Sequence, residues 1–467
     1  MSYAFTFDAK ACTGCKACQV ACKDKNGLPV GLLWRRVIEV VAGEWQATAN
    51  AWENNVIAYN LTIACNHCTH PKCAGVCPTD AFNVRVDGVV LIQGNKCMGC
   101  GYCSWACPYG APQYDIEQGI MTKCDFCYDN LDAGLPPSCV SACPLRVLDY
   151  GTLEELQTSA QGKHLWLLPA TEHPFPLPDF SRTEPHLTIK AHPAMNSPLE
   201  KTVSNQEEIL LPQSFEKRQR GTGTHELPLV AFTLLTQMAA GMAVLGLLLS
   251  SIPLPVLLAI GILPILGGSI SFLHLGRKRN AWRSIAHLKK SWLSREVLTA
   301  GIFVVTWVVT LAMYLFWKVS PNPWPLAILG SGLVYCMSRV YLLRAAPPWN
   351  TWRTPTAFFL STAVLGSLGV RLIVQDYRLL LVAFLAMAGE MGLALTERPL
   401  SENRASILHF ALTGLAMMGA LLSALLPQDF LAQLILLVFV IALAAEAVGR
   451  WQFYTRRISF PIAPSDP

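Results

Sequence analysis

The sequence predicts two unlike structures in one chain: an α+β domain organised by cysteine ligands, followed by an all-α membrane bundle of eight transmembrane helices. Three observations carry this reading. Sixteen of the seventeen cysteines fall between Cys12 and Cys143. Every long apolar run lies after residue 226. Between the two lies a polar stretch, 151–225, rich in Pro, Glu and Ser and without a long apolar period. A length of 467 residues allows several domains. The boundaries are drawn at 1–150, 151–225 (a tail lying along a partner, then a linker), 226–457 and a short tail, 458–467. A net charge of +5 is mild, so nucleic acid is not an expected partner.

Cysteine at this density means either disulfides or metal ligation. The first residues, Met1-Ser2-Tyr3-Ala4-Phe5, lack a basic stretch followed by an apolar core. No secretory or twin-arginine signal is therefore expected, and metal ligation is favoured. Four groups follow one another. Cys12, Cys15, Cys18 and Cys22 form C-x2-C-x2-C-x3-C, and Cys97, Cys100, Cys103 and Cys107 repeat that spacing. Cys65, Cys68, Cys73 and Cys77 form C-x2-C-x4-C-x3-C, and Cys124, Cys127, Cys139 and Cys143 form C-x2-C-x11-C-x3-C. Proline follows the last cysteine of three groups, at Pro78, Pro108 and Pro144.

Three closely spaced cysteines on a tight loop can wrap three corners of an iron–sulfur cubane. The fourth, three residues on, is carried away to the neighbouring cluster. Four such groups make two two-cluster units, a ferredoxin-like arrangement with four [4Fe–4S] clusters. Zinc ribbons use isolated C-x2-C pairs, without a third cysteine or a Cys-Pro. Gly14, Ala17, Gly99 and Gly101 are small enough to let backbone amides approach the sulfurs. Between the groups, Phe82–Val86 and Val89–Ile92 flank Asp87-Gly88, a hairpin signal.

A helix needs about 20 apolar residues to cross the hydrocarbon core. Eight segments qualify: 227–250, 253–274, 296–317, 323–343, 355–374, 378–397, 405–426 and 429–450. They are apolar nearly all round, unlike the helices of a soluble bundle. Eight spans put the N-terminal domain on the side of the loops after spans two, four and six. That side carries thirteen basic residues: Arg277, Lys278, Arg279, Arg283, Lys289, Lys290, Arg295, Arg344, Arg353, Arg398, Arg404, Arg456 and Arg457. The other side has Lys318, Arg371 and Arg378. The positive-inside rule then predicts an inner-membrane protein with its cysteine domain in the cytoplasm.

Ionisable groups inside a span cost about 2.5–3.5 kcal/mol on the insertion scale and mark function by default. His274, Arg339, Glu390, His409 and Glu446 all fall toward the cysteine-domain side of their spans. They are the candidate functional residues of the bundle; with the quinol that the resemblance described below implies, His274 is the expected hydroxyl partner and base, and Glu390 or Glu446 the proton relay. His274 and His409 are the only histidines in the spans, and axial haem ligation is set aside on that count. Cys336 reads as a small apolar helix residue. No residue is assigned a catalytic role.

Residues 3–195 resemble the iron–sulfur subunit of anaerobic dimethyl sulfoxide reductase and its polysulfide- and nitrate-reductase relatives. The likeness rests on all four cysteine groups, on Cys97-Met98-Gly99-Cys100-Gly101-Tyr102-Cys103 and on Cys107-Pro108-Tyr109-Gly110-Ala111-Pro112. In that family group one pairs with group four and group two with group three. The resemblance implies that Cys12, Cys15, Cys18 and Cys143 hold one cluster, and Cys22, Cys124, Cys127 and Cys139 a second. It gives Cys65, Cys68, Cys73 and Cys107 to a third, and Cys77, Cys97, Cys100 and Cys103 to a fourth. Some relatives carry Trp at the position of Cys100 and bind a three-iron cluster; cysteine here implies four cubanes.

The second half resembles the same enzyme's membrane anchor. The likeness lies in His225-Glu226-Leu227-Pro228-Leu229, His274-Leu275-Gly276, Ala281-Trp282-Arg283 and Ser291-Trp292-Leu293-Ser294-Arg295-Glu296. It continues in Pro347-Pro348-Trp349-Asn350-Thr351-Trp352 and Gly449-Arg450-Trp451-Gln452-Phe453-Tyr454. Two subunits that are normally separate are joined. The resemblance implies a non-catalytic electron-transfer and anchor subunit working with membrane lipid, the quinone pool and a molybdopterin catalytic subunit. Electrons from menaquinol would serve reduction of dimethyl sulfoxide or a related S- or N-oxide in anaerobic respiration. Two alternatives stand beside it: reverse transfer from a substrate-oxidising molybdoenzyme to quinone, and a self-contained quinol:acceptor oxidoreductase.

Overall fold

The computed structural model describes residues 2–42, 45–48, 51–54, 56–158, 163–164, 177, 183–193, 227–249, 251–318, 320, 322–396, 404–425 and 431–455. The tail 458–467, most of 151–225, and the basic residues Arg398, Arg456 and Arg457 lie outside them. The described residues fall into two compact units, one within 1–220 and one within 221–457; residues 279–283 belong to the first.

In the first unit, β1 (Tyr3–Asp8) is central to a four-stranded sheet with β10 (Leu148–Thr152), β11 (Lys163–His164) and β12 (Leu187–Lys190). The order is β10-β1-β12-β11. β1 runs antiparallel to β10, with Phe5 opposite Tyr150, and parallel to β12, with Phe5 opposite Leu187. The stretch after residue 151 was expected as a tail and linker, yet it contributes β12 to this sheet. Its run Leu187-Thr188-Ile189 is buried, but three residues are too few for a period to register. Phe5, Phe7, Leu61, Ile63, Leu148, Leu187 and Ile189 form the core with several cysteines.

Four antiparallel pairs accompany the sheet: β2 (Arg36–Ala42) with β5 (Ile57–Ile63), β3 (Trp45–Ala47) with β4 (Trp52–Asn54), β6 (Phe82–Val84) with β7 (Val90–Ile92), and β8 (Gln113–Asp115) with β9 (Ile120–Thr122). The third is the predicted hairpin, in register Phe82 to Ile92, with Gly88 at φ +78° in its turn. Short helices lie at or after the cysteine loops: α1 (Ala17–Lys25), α2 (Lys72–Val76), α3 (Tyr102–Ala106), α4 (Tyr128–Asp132), α5 (Ser138–Ser141) and α6 (Leu153–Thr158). Helix α1 packs against α5, and α2 against α3.

The second unit is a bundle of α7 (Leu227–Leu245), α8 (Leu254–Ser271), α9 (Trp292–Trp317), α10 (Trp324–Tyr341), α11 (Arg353–Arg371), α12 (Tyr377–Leu395), α13 (Arg404–Leu425) and α14 (Leu431–Thr455). Each coincides with an expected span. Six of them are long and apolar enough to cross a membrane: α7, α8, α9, α12, α13 and α14. The two that fall short of that measure are α10 and α11. The reason is packing. Helix α11 has twelve buried residues among its nineteen, including Ser361, Thr362, Gly366, Ser367 and Gly369. A helix covered by neighbours does not need an apolar exterior. In lipid, small and hydroxyl residues serve close helix contact instead.

Helix α7 is the hub, packing on α8, α10, α11 and α14. Its Gly241 faces Gly366 of α11 so closely that a Cβ there would lie 2.1 Å from the carbonyl oxygen of Thr362. Helix α8 approaches α9 in the same way. Gly261 lies flat against the Trp307 ring, and Trp307 Nε1 donates to the Leu257 carbonyl at 2.6 Å. Replacing Gly241 by Val puts branched atoms onto backbone that cannot yield. Destabilisation of at least about 1–3 kcal/mol is expected for such overpacking, read as a lowered thermal midpoint of the detergent-solubilised protein.

Candidate functional site: four cysteine loops and a polar cluster in the bundle

The four cysteine groups differ in spacing but share one backbone device. The residue before the second cysteine has positive φ in every group: Gly14 (+69°), His67 (+43°), Gly99 (+74°) and Phe126 (+64°). This left-handed step turns the loop so that amides face the sulfurs. Gly99 N donates to Cys97 Sγ at 3.4 Å, and Phe126 N to Cys124 Sγ at 3.4 Å. Ala81 N, Ala111 N and Met121 N add further contacts to Cys77, Cys107 and Cys97 at 3.4–3.5 Å. Glycine takes the step freely; His67 and Phe126 do not and are held by tertiary contacts. Phe126 stacks on Phe5 at 4.1 Å. His67 Nδ1 accepts from Val90 N at 3.0 Å, and its ring meets Phe126 edge-on.

Helix packing decides which cysteines meet. Because α1 lies on α5, Cys22 approaches Cys127 and Cys139. Cys12 in turn has Cys15, Cys18 and Cys143 as neighbours. Because α2 lies on α3, Cys77 joins Cys97, Cys100 and Cys103. One void is lined by Cys12, Cys15, Cys18 and Cys143, and another by Cys65, Cys68, Cys73 and Cys107. These are two of the four sets that the resemblance implies. Among the described residues no three of His, Cys, Asp or Glu converge tightly enough for a single metal ion. Four sulfurs lining one void are the donor set of a multi-iron cluster. Burial pushes the thiols up, Cys22 and Cys100 to about 12 and Cys107 to about 11.

Three cations are buried among these thiols. Arg35 is 2% exposed, lies 4.4 Å over the Phe5 ring, and donates to Thr62 Oγ1 at 3.2 Å. Thr62 Oγ1 is itself 3.5 Å from Cys18 Sγ. Burial works against the Arg35 charge, but Cys139, Cys124, Cys18 and Cys22 more than offset it. Lys123 donates to the carbonyls of Val90 and Cys124. Burial is again outweighed, here by Cys65, Cys73 and Cys124. Arg36 donates to the Tyr109 carbonyl at 2.5 Å, and burial lowers it to about 10 despite nearby Cys107. His67 is driven well below its usual range by burial, then by Lys123, His186 and Arg35. A neutral ring agrees with its role as acceptor from Val90. None of these cations stands out in the sequence; a basic residue next to a strand or a cysteine carries no signal of burial.

The five candidate residues of the bundle do not form one constellation. Glu390 and Glu446 come together: Glu390 accepts from Ser361 Oγ at 3.2 Å and is hydrogen-bonded to Glu446. Arg450 completes the cluster, donating to Gln237 Oε1 at 3.0 Å and Ser361 Oγ at 3.4 Å, with Phe358 under its guanidinium at 3.8 Å. Gln237 Nε2 also donates to the Phe358 carbonyl at 2.8 Å. Helices α7, α11, α12 and α14 each contribute, and every polar member is at least nine-tenths buried. His274 ends a 3-10 turn after α8, its Nδ1 3.5 Å from Ser271 Oγ. Helix α8 packs on α7 and α9. Arg339 lies 4.9 Å over Trp292, whose ring Arg295 also covers at 4.3 Å. His409 Nδ1 pairs with the Ala445 carbonyl at 2.8 Å, its ring seated against Gly449. Gln237, Ser361 and Arg450 were not among the expected site residues, nor was Glu296, 3% exposed near the start of α9. A lone Gln in the middle of an apolar span was the available signal.

Cluster-type cysteine loops in pairs, on one chain with a multi-pass helical unit, define an iron–sulfur electron-transfer protein carrying its own membrane anchor. Residues 56–153 match the family described as 4Fe-4S dicluster domain, and residues 220–400 the DMSO reductase anchor subunit. An anaerobic dimethyl sulfoxide reductase chain of Escherichia coli is 46% identical over 188 residues, covering 40% of this chain and 88% of that one. A second chain of the same organism, a probable anaerobic dimethyl sulfoxide reductase chain, matches to the same extent. A sulfite dehydrogenase subunit of Allochromatium vinosum is 37% identical over 174 residues, covering 32% of this chain and 69% of that one. The chain belongs to the dimethyl sulfoxide reductase family, as a fusion of its iron–sulfur and anchor subunits.

Arg450→Met leaves the Glu390 and Glu446 carboxyls without their buried cation. It also removes the donor to Gln237 Oε1 and Ser361 Oγ, and leaving a buried acceptor unsatisfied costs about 1–3 kcal/mol, so a clear fall in the unfolding temperature of the purified protein is expected.

Proposed function

We propose that this chain carries electrons between a membrane quinol and a molybdopterin catalytic subunit, in the direction of S- or N-oxide reduction. The observation that carries the reading is the assembly of sixteen cysteines in cluster-type loops on the same polypeptide as a membrane anchor. Four ligand sets follow from the resemblance and are supported by the helix pairings and the two cysteine-lined voids. Cys12, Cys15, Cys18 and Cys143 would hold one [4Fe–4S] cluster, and Cys22, Cys124, Cys127 and Cys139 a second. Cys65, Cys68, Cys73 and Cys107 would hold a third, and Cys77, Cys97, Cys100 and Cys103 a fourth. When bound, each cluster supplies a one-electron carrier.

The anchor is read as eight spans. The two helices that fall short in apolarity have 18 and 19 residues, about 27–29 Å at the α-helical rise, close to the hydrocarbon thickness of about 30 Å. The thirteen-to-three asymmetry of basic residues supports a cytoplasmic iron–sulfur domain. Oxidising a quinol to a quinone releases two electrons and two protons. His274 is the proposed hydroxyl partner and base, and the Glu390–Glu446 cluster the proton relay. Arg339 and His409 have other neighbours, Trp292 and the Ala445 carbonyl, and are left out of this assignment.

A second reading, transfer from a substrate-oxidising enzyme to quinone, has support in one relative, whose name is that of a dehydrogenase. The self-contained oxidoreductase gains no support, since the four sets use every cysteine of the domain.

His274→Ala is expected to abolish or reduce at least tenfold the oxidation of a quinol analogue by the assembled complex, with its cluster signals intact in electron paramagnetic resonance. Unchanged turnover would remove His274 from the reaction. Reporters active on one side of the membrane only, fused at each terminus, are expected to report the cytoplasm for both; activity outside would reverse the orientation.

A further inference from the structure

The cations buried among the thiols are unevenly shared. Arg35 has Cys139, Cys124 and Cys22 around it, all from one proposed ligand set, and Cys18 from the adjoining set. Lys123 has Cys124 of that same set on one side and Cys65 and Cys73 of the next on the other. The set Cys22, Cys124, Cys127 and Cys139 is therefore flanked by Arg35 and Lys123, and the set Cys65, Cys68, Cys73 and Cys107 by Lys123 and Arg36. For Cys100 and Cys103 the neighbouring charges are other cysteines.

Lys123 is held by the carbonyls of Val90 and Cys124, whereas Arg35 is short of partners. Among the described residues, Nε and Nη2 of Arg35 are buried without a hydrogen-bond partner. Its guanidinium makes one side-chain hydrogen bond, to Thr62, which also touches a cysteine sulfur. No carboxylate pairs with either side chain among the described ion pairs. An unpaired charge in the interior is costly, and it persists only where something compensates it.

We propose that Arg35 and Lys123 are potential-setting residues, fixed positive charges that hold up the reduction potential of the cluster bound by Cys22, Cys124, Cys127 and Cys139. The chemistry is a single electron entering the cluster. Each reduction adds one negative charge, and a nearby buried cation stabilises the reduced form more than the oxidised form. Solvent screening of such a charge is weak. Lys123 acts in addition on the cluster of Cys65, Cys68, Cys73 and Cys107. The Phe5 ring lies against Arg35 and is itself stacked on Phe126, which His67 meets edge-on. The inference rests on the ligand sets proposed for the four clusters.

The test is a redox titration of the anaerobically prepared full-length protein, followed by electron paramagnetic resonance, with iron counted alongside. Arg35→Gln is expected to keep about sixteen iron atoms and to shift one midpoint to more negative potential. At a fixed potential its oxidised-to-reduced ratio should rise about tenfold or more, equivalent to about 59 mV for one electron. Arg35→Lys, which keeps the charge, should stay near the wild type. Lys123→Met should lower the same midpoint and one neighbour's. Four unmoved midpoints in Arg35→Gln overturn the proposal. So does an equal shift in Arg35→Lys, which would assign the effect to packing. If Arg35→Gln loses iron, Lys123→Met decides alone, and unmoved midpoints there overturn the proposal. Fewer than four signals in the wild type would instead sink the ligand sets.

Discussion

The N-terminal unit depends on bringing sixteen sulfur atoms into a small interior and turning backbone amides toward them. Sulfur alone does not hold such an arrangement together. A buried thiol resists ionisation, and burial raises Cys22, Cys100 and Cys107 to about 11–12. The fold meets this by three means at once. Left-handed steps at Gly14, His67, Gly99 and Phe126 aim N–H groups inward. Buried Arg35, Arg36 and Lys123 supply positive charge. The helix pairs carry a cysteine of one loop to the sulfurs of another. Each is expensive alone, and together they make a cavity that favours an iron cluster.

The strained turns show how cofactor geometry and hydrophobic packing are coupled. His67 and Phe126 occupy a backbone conformation that glycine takes in the other two loops. They are kept there by one another, by Phe5 and by the β7 backbone at Val90. Phe5 belongs to β1 of the sheet and also lies under Arg35. One aromatic group thus joins sheet, cysteine loop and buried cation, so a change at Phe126 would be felt by packing and by the cluster site together.

The helical unit follows a different rule. Its hub, α7, meets α11 through Gly241 and Gly366 with almost no side chain between them. Where backbones come this close, polar groups can bond across helices, and Gln237, Ser361, Glu390, Glu446 and Arg450 do so at the meeting of four helices. The same close packing explains why α11 carries small and hydroxyl residues where an exposed span would be apolar. Small residues serve the close contacts of α11 with its neighbours.

Cysteine spacing and apolar length were legible in the linear chain because both are local. A C-x2-C-x2-C-x3-C run must form a loop with its last ligand turned away. A run of some twenty apolar residues has few other fates in a membrane protein. The hairpin at Asp87-Gly88 was legible for the same reason. Only the tertiary structure decided which polar residues share an interior. Lys123 stands next to Cys124, but the other sulfurs around it and those around Arg35 come from loops distant in the chain, and nothing local announces their burial together. Glu390 and Glu446 were visible as charges in apolar spans, but Gln237, Ser361 and Arg450 became their partners only through the meeting of four helices. The strand Leu187–Lys190 is the plainest case: short and polar-flanked, it joins the sheet because β1 offers it an unpaired edge.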